Sequence, residues 1–355
     1  MKAGEAFYCS SPLYIMKGNE LKPALWWEKT ENGKILCTLC PRYCTIGSGQ
    51  SGFCFIRTNI DGVLYSLGYG RPTGFAIDPI EKKPLNHFYP GSEILSFGTA
   101  GCNLGCKFCQ NWSTSKARIA EEASLYASPE EVIKLAKKYK APSIAYTYND
   151  PTIFGEYVMD VSELARREGI KNVMVTAGYI DKKARKDVYR FIDAANVDLK
   201  AFSENFYHKL TFSHLNDILD TLLWLKRDTG IWFEITTLLI PGENDSAEEI
   251  KQMCGWIVNN LGVEVPLHFT AFHPDFKMTD KPRTPASTLD MARSIAIAEG
   301  IKYCYLGNVH NIKGETTYCP SCGKDVIKRD WHSVLSYNLT GGKCSFCGTP
   351  IAGRF

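Results

Sequence analysis

The sequence predicts an α/β fold of repeated βα units, with a small cysteine-rich, metal-binding module at each end. Between residues 94 and 310, short strand-like runs alternate with amphipathic helical runs, the mark of βα units around a parallel sheet. Eleven of the fourteen cysteines fall into three tight groups: Cys37, Cys40, Cys44 and Cys54; Cys102, Cys106 and Cys109; Cys319, Cys322, Cys344 and Cys347. Those spacings suit metal ligands, whereas disulfide frameworks belong to small secreted domains. A chain of 355 residues with 45% hydrophobic content can bury a barrel-sized core.

The candidate strands are "ILSFG" at 94, "SIAYT" at 143, "NVMVT" at 172, "ANVDL" at 195, "WFEIT" at 232, "PLHFT" at 266 and "KYCYL" at 302. Between them, Ser128-Pro129-Glu130-Glu131 and Ser246-Ala247-Glu248-Glu249 fit capping boxes, and Gly169, Gly230, Gly262 and Gly300 fit helix ends. Ile250, Cys254, Ile257, Val258 and Leu261 form an apolar stripe at helical spacing, which makes Cys254 a core residue rather than a ligand. Such units build either a doubly wound sheet or a barrel, and both gather reactive groups at the carboxyl ends of strands. There stand "TAGC", "TYNDP" (147–151), "TAGY" (176–179), "DLK" (198–200) and "FHPDF" (272–276).

The net charge of +3 comes without a long basic run, so nucleic acid is not an expected partner. No run reaches about 18 apolar residues, and the start lacks the order of a secretory signal. A cytoplasmic protein with no membrane partner is expected, with Cys9 as a free thiol.

The loop "TAGCNLGCKFCQNW" (99–112) spaces its cysteines as Cys-x3-Cys-x2-Cys. A [4Fe-4S] cluster has four irons, so three thiolates leave one open to an external chelator with neighbouring amino and carboxylate groups. Gly101 and Gly105 let the backbone wrap an inorganic core. The alternative is a zinc site completed by a distant cysteine or histidine.

With Phe108 before its last cysteine, this loop resembles that of the radical S-adenosylmethionine (SAM) enzymes. The likeness extends to the pyruvate formate-lyase activating enzyme branch, and most closely to the radical SAM member of the AmmeMemoRadiSam gene set. It rests on "CTLCPRYC", "GQSGFC", "GCNLGCKFCQNW", "TYNDP", "VTAGY", "DLKAF", "LLIPGEND", "FHPDFKM", "YLGN", "TYCPSCG" and "CSFCG". The resemblance implies a partial (β/α)6 TIM-type barrel. It also implies a cluster on Cys102, Cys106 and Cys109 that cleaves SAM to a 5′-deoxyadenosyl radical, which takes hydrogen from a substrate. It implies SAM contacts from Phe108, Asn149, Asp150, Thr176, Asp198, Lys200 and His273, with Gly307 and Asn308 at the adenine end. The chain departs from the branch at Asp150, where Glu is usual, at Ala177, where Asn is usual, and at Val175, where true activators carry an acid.

Blander readings stand beside these. Asp198 and Lys200 fit a buried ion pair, and His273 fits a packing role, with His268 or His310 able to serve instead. Cys319-x2-Cys322 and Cys344-x2-Cys347 match a zinc ribbon, with a single rubredoxin-like iron as the alternative. For Cys37, Cys40, Cys44 and Cys54 zinc is expected, with a closed second [4Fe-4S] cluster as the alternative. The expected domains are a cysteine-rich extension (1–90), the radical SAM barrel (91–312) and the zinc-ribbon module (313–355). The expected partners are a low-potential electron donor of the ferredoxin or flavodoxin type and either a glycine of a partner protein or the AmmeMemo partner proteins. The competing functions are a multi-zinc scaffold and an electron-transfer protein without SAM chemistry, neither of which needs polar motifs at successive strand ends.

Overall fold

The structure, a computed structural model, describes residues 21–118 and 125–355; Cys9 lies outside them. The chain divides into two compact units. One comprises the described residues up to Asp78 with Glu93–Asp193, and the other Pro79–Ser92 with Ala194–Phe355.

In the first unit, β1 (Glu93–Gly98), β2 (Ser143–Tyr146) and β3 (Lys171–Thr176) pair in parallel in that order. All four residues of β2 are buried, as expected where helices cover both faces of a parallel sheet. Helix α1 (Pro129–Lys138) starts in a complete capping box: Ser128 accepts from the Glu131 N–H, and Glu131 accepts from the Ser128 N–H at 2.6 Å. Two further helices follow, α2 (Gly155–Arg167) and α3 (Lys182–Val188). Ahead of β1, a small antiparallel sheet of Trp27–Lys29, Ile35–Cys37 and Thr45–Ile46 carries Cys37.

In the second unit, β4 (Ala194–Asp198), β5 (Trp232–Leu239), β6 (Leu267–Ala271) and β7 (Cys304–Gly307) run parallel in order. Helices α4 (Leu215–Asp228), α5 (Ala247–Leu261) and α6 (Ala286–Ala298) connect them. Cys254 is fully buried on α5. The expected second capping box forms only by half. Ser246 accepts from the Glu249 N–H at 3.3 Å, but the Glu249 carboxylate turns to the Phe202 N–H at 2.7 Å, a loop donor that α5 itself does not supply. The carboxyl-terminal segment adds an antiparallel sheet of Thr317–Tyr318, Asp325–Asp330 and Ser333–Tyr337, packed on Tyr303 and Tyr305. Among the described residues, no helix is long and apolar enough to cross a membrane.

A buried polar network that no sequence pattern announced lies in this second unit. Glu234 of β5, fully buried, accepts from the Asn86 and His87 N–H groups at 3.0 and 2.8 Å, and pairs with His268 Nε2 at 2.7 Å. His87 Nδ1 faces the Ala352 carbonyl at 2.6 Å and Nε2 the Tyr305 hydroxyl at 2.5 Å. A carbonyl only accepts, so Nδ1 carries the proton and neutral Nε2 accepts from Tyr305. Burial, opposed by Glu234, pushes His87 down to about 4. An unfolded histidine protonates near ~6.5, so this contribution is complete above that pH and is lost as pH falls towards 4. We expect roughly 2–3 kcal/mol less unfolding free energy at pH 4.5 than at pH 7. In denaturant titrations of wild type and His87→Gln, equal pH slopes would remove His87 as the cause.

Candidate metal and cofactor site

The three-cysteine loop leaves β1 through two positions that tolerate only glycine. A Cβ on Gly98 would stand 2.4 Å from the Thr147 carbonyl oxygen; one on Gly101, which has φ of +86°, would stand 2.1 Å from the Cys54 carbonyl oxygen. Asn149, at the end of β2, then clamps the approach to Cys102. Its Nδ2 donates to the Gly101 carbonyl at 2.8 Å and to Thr99 Oγ1 at 3.2 Å, and its Oδ1 accepts from the Thr99 N–H at 3.3 Å. Asn103 Nδ2 donates to the Tyr179 carbonyl at 2.8 Å, Lys116 Nζ donates to the Leu104 carbonyl at 2.7 Å, and Ser115 Oγ lies 3.2 Å from Cys109 Sγ. Sequence reasoning missed Thr99, Asn103, Ser115 and Lys116. Their signal was that a loop this rich in glycine must satisfy its backbone with side chains.

The Asp150 carboxylate is buried and held by its own chain. It accepts from the Thr152 and Ala177 N–H groups, each at 2.9 Å, and from Thr176 Oγ1 at 3.2 Å. Thr176 is thus a support for Asp150. Burial pushes the Asp150 carboxyl above its usual range, and these hydrogen bonds pull the other way. A carboxylate accepts about four hydrogen bonds, so three chain donors leave room for one from a ligand. Burial, and after it the Asp150 charge, push the Cys102 thiol up to about 11; a bound metal is what would hold it as thiolate at neutral pH. Phe108 is buried within the loop.

In the second unit, the sequence-expected residues stand at or just beyond the carboxyl ends of its strands. At the end of β4, Lys200 Nζ contacts Asp198 Oδ2 at 2.8 Å, with both side chains partly exposed. Asn308, after β7, donates to the Ala271 carbonyl at 3.0 Å, and a Cβ on Gly307 would approach Thr270 Cγ2 to 2.9 Å. His273 lies 3.8 Å from Asp275, with 42% side-chain exposure. His268 instead is bound to Glu234 and His310 to Asp330 at 2.9 Å.

Among the described residues, Cys319, Cys322, Cys344 and Cys347 are the only group of three or more Cys, His, Asp or Glu side chains whose ligand atoms all lie within 4.8 Å of one another. Cys319 and Cys347 sulfurs are 3.6 Å apart, and Cys322 and Cys344 sulfurs 3.8 Å. A tetrahedron with bonds of about 2.3 Å has edges near ~3.8 Å, so this set fits one ion. Each knuckle closes alike: the Gly323 N–H donates to the Cys319 carbonyl at 2.9 Å and the Gly348 N–H to the Cys344 carbonyl at 2.8 Å. Among the described residues, the thiols of Cys102, Cys106 and Cys109 do not form such a group.

Residues 97–254 match the model of the Radical SAM superfamily, and residues 273–355 that of the Bacterial Peptidase A24 N-terminal domain. The chain is 43% identical over 333 residues to an uncharacterized protein of Methanocaldococcus jannaschii, covering 93% of this chain and 99% of that one. It is 23% identical to a pyruvate formate-lyase-activating enzyme of Clostridium pasteurianum, over 54% of this chain and 84% of the relative. A 4-hydroxyphenylacetate decarboxylase activating enzyme of Clostridioides difficile is 21% identical over 57% of this chain and 70% of its own. A radical SAM methyltransferase of Sphaerobacter thermophilus shares the fold, with a TM-score of 0.51 and 16% identity over 65% of this chain and 68% of that one. With its three-cysteine loop inside the matched segment and activating enzymes among its relatives, the chain belongs to the radical SAM superfamily, in the family that resembles the pyruvate formate-lyase activating enzymes.

Proposed function

We propose that the protein binds a [4Fe-4S] cluster through Cys102, Cys106 and Cys109, chelates SAM on it, and abstracts a hydrogen atom from a partner substrate. The observation that carries this reading is the glycine-rich loop after β1, which presents three thiols and is locked by Asn149. When bound, the cluster supplies the electron that breaks a carbon–sulfur bond of SAM and so generates the 5′-deoxyadenosyl radical. The parallel βα repeats form the partial (β/α)6 barrel of the family in this reading, over 91–312, with 1–90 and 313–355 as attachments. The electron comes from a low-potential donor of the ferredoxin or flavodoxin type. The hydrogen comes either from a glycine of a partner protein, in line with the activating-enzyme relatives, or from a molecule handled with the AmmeMemo partner proteins. The test is anaerobic incubation of reduced protein with SAM: 5′-deoxyadenosine should form, and its absence defeats the reading.

The chain's own residues take the following parts. Asp150 offers its remaining acceptor capacity to the SAM ammonium, with Thr176 holding the carboxylate in place. Lys200 holds the SAM carboxylate, and Asp198 a ribose hydroxyl; an ammonium has three donors, enough for Asp198 and a ligand at once. Gly307 and Asn308 line the adenine end, His273 contacts SAM, and Phe108 packs the cofactor side of the loop. Lys200→Ala is expected to weaken SAM binding tenfold or more, about 1.5–3 kcal/mol for a charged hydrogen bond, with the iron content unchanged. Coincident calorimetric isotherms for variant and wild type would reduce the "DLK" motif to a strand end.

The carboxyl-terminal four cysteines hold zinc in this proposal, on the strength of their single-ion spacing. Metal analysis of wild type against Cys322→Ser should show about one zinc lost per chain. Iron lost in its place means a rubredoxin-like centre.

A further inference from the structure

The four cysteines ahead of β1 take no part in the proposed reaction. Cys37, Cys40 and Cys54 are buried, and with the partly buried Cys44 they are free thiols lining one cavity of about 10 Å3 in the first unit. That volume holds about one small ion or water and has no room for a four-iron cube. The polar side chains in its wall are engaged elsewhere: Arg57 with Glu156 at 2.9 Å, Arg42 with the Asn103 carbonyl, and Asn103 Nδ2 with the Tyr179 carbonyl at 2.8 Å. The sulfurs are thus what the cavity offers a guest, and a soft cation is what sulfur selects.

The backbone around these thiols is set to carry thiolates. The Cys37 N–H donates to the Cys44 carbonyl at 2.9 Å, which brings the strand end and the second turn together. The Arg42 amide lies against the Cys40 sulfur and the Ile56 amide against the Cys54 sulfur, two residues on in each case. The same step recurs in the single-ion set, with Lys324 on Cys322 and Thr349 on Cys347. Amides so placed stabilise the charge of a thiolate. Among the described residues, the four sulfurs do not stand within 4.8 Å of one another as those of Cys319, Cys322, Cys344 and Cys347 do. Thiols step between staggered rotamers, so metal binding is what closes the set.

This segment also grips the three-cysteine loop. Arg42, between Cys40 and Cys44, lies 3.5 Å from the Phe53 ring centroid and donates from Nε to the Asn103 carbonyl, so both turns of the cysteine group fix its side chain. Gly101 packs on the Cys54 carbonyl, and the Leu39 carbonyl accepts from the Asp181 N–H at 3.0 Å.

From these observations we infer that Cys37, Cys40, Cys44 and Cys54 hold one zinc ion, and that this ion braces the 102–109 loop through Arg42. As zinc binds, the four thiols release four protons to solvent, with no change of oxidation state. The zinc fixes the turns that carry Arg42 and Cys54, and these in turn hold the loop backbone at Asn103 and Gly101.

Elemental analysis of full-length, anaerobically purified protein tests the site: Cys40→Ser/Cys54→Ser should carry about one zinc per chain less than wild type. Undiminished zinc overturns the site, whatever the iron content does. If that variant fails to fold, Cys106→Ala/Cys322→Ser carries the test. Loaded with cobalt, it should keep the intense sulfur-to-cobalt absorption of a tetrahedral tetrathiolate, and loss of that absorption overturns the site. In Arg42→Ala the zinc should stay, while the amides of residues 101–104 exchange with solvent roughly tenfold or more faster, as expected from losing a charged hydrogen bond. Exchange that matches wild type overturns the brace. None of these readouts uses SAM or a loaded cluster, so the zinc site stands or falls apart from the proposed reaction.

Discussion

Cys106→Ala is expected to reduce 5′-deoxyadenosine formation to background and to remove about four irons per chain, while leaving the melting behaviour of the protein nearly intact. Two remaining thiolates cannot hold a cube against solvent, so the effect should be near-total rather than graded. The fold should survive, because the loop is tied by groups other than its sulfurs: Asn149 on the Gly101 carbonyl, Lys116 on the Leu104 carbonyl and Asn103 on the Tyr179 carbonyl. Cys106 is itself buried, so alanine leaves only a small cavity there. Iron and sulfide content, product by chromatography and a thermal melt check the three parts together. Undiminished SAM cleavage in this variant would falsify the assignment of the loop.

Glu156→Ala should be the most destabilising single change among those considered. Glu156 stands in the first turn of α2, and Arg57 in a strand of the amino-terminal region; their side chains are 1% and 2% exposed. Arg57 Nη1 donates to both carboxylate oxygens, at 2.9 and 3.1 Å, and Glu156 also accepts from the Leu25 N–H at 2.8 Å. Removing the acid strands a buried guanidinium, which costs about 3–5 kcal/mol. That lowers the melting midpoint by roughly 4–7 °C for a chain of this size. Glu156→Gln keeps the shape and one acceptor and should lie between variant and wild type. A Glu156→Ala melt that overlays the wild type means that Arg57 finds another anion or water, and the pair is not sealed.

The seven parallel strands were legible because a strand buried on both faces is apolar over most of its length, and helices at 3.6-residue spacing separate such runs. The capping box at Ser128 was legible for the same local reason, whereas that at Ser246 was legible only by half, since Glu249 answers to Phe202, 47 residues away. The residues expected to contact SAM illustrate the boundary. "TYNDP" stood out by composition, but that Asn149 clamps the cluster loop and that Thr176 supports Asp150 depended on loops 26 to 50 residues apart meeting.

What the sequence by itself determined is the chemistry that lives within one loop or one knuckle. Three thiols in eight positions and paired Cys-x2-Cys turns ending in glycine are candidate ligand sets at any orientation of the rest, because ligand spacing is set by the backbone between the ligands. Only the tertiary structure decided which polar groups are buried together. Arg57 with Glu156, and Glu234 with His268 and His87, are brought together from residues far apart along the chain. The physical reason is that hydrophobic periodicity records which face of an element leaves water, but not what that face meets. A charge or a thiol placed on a buried face is therefore decided by its neighbour across the core.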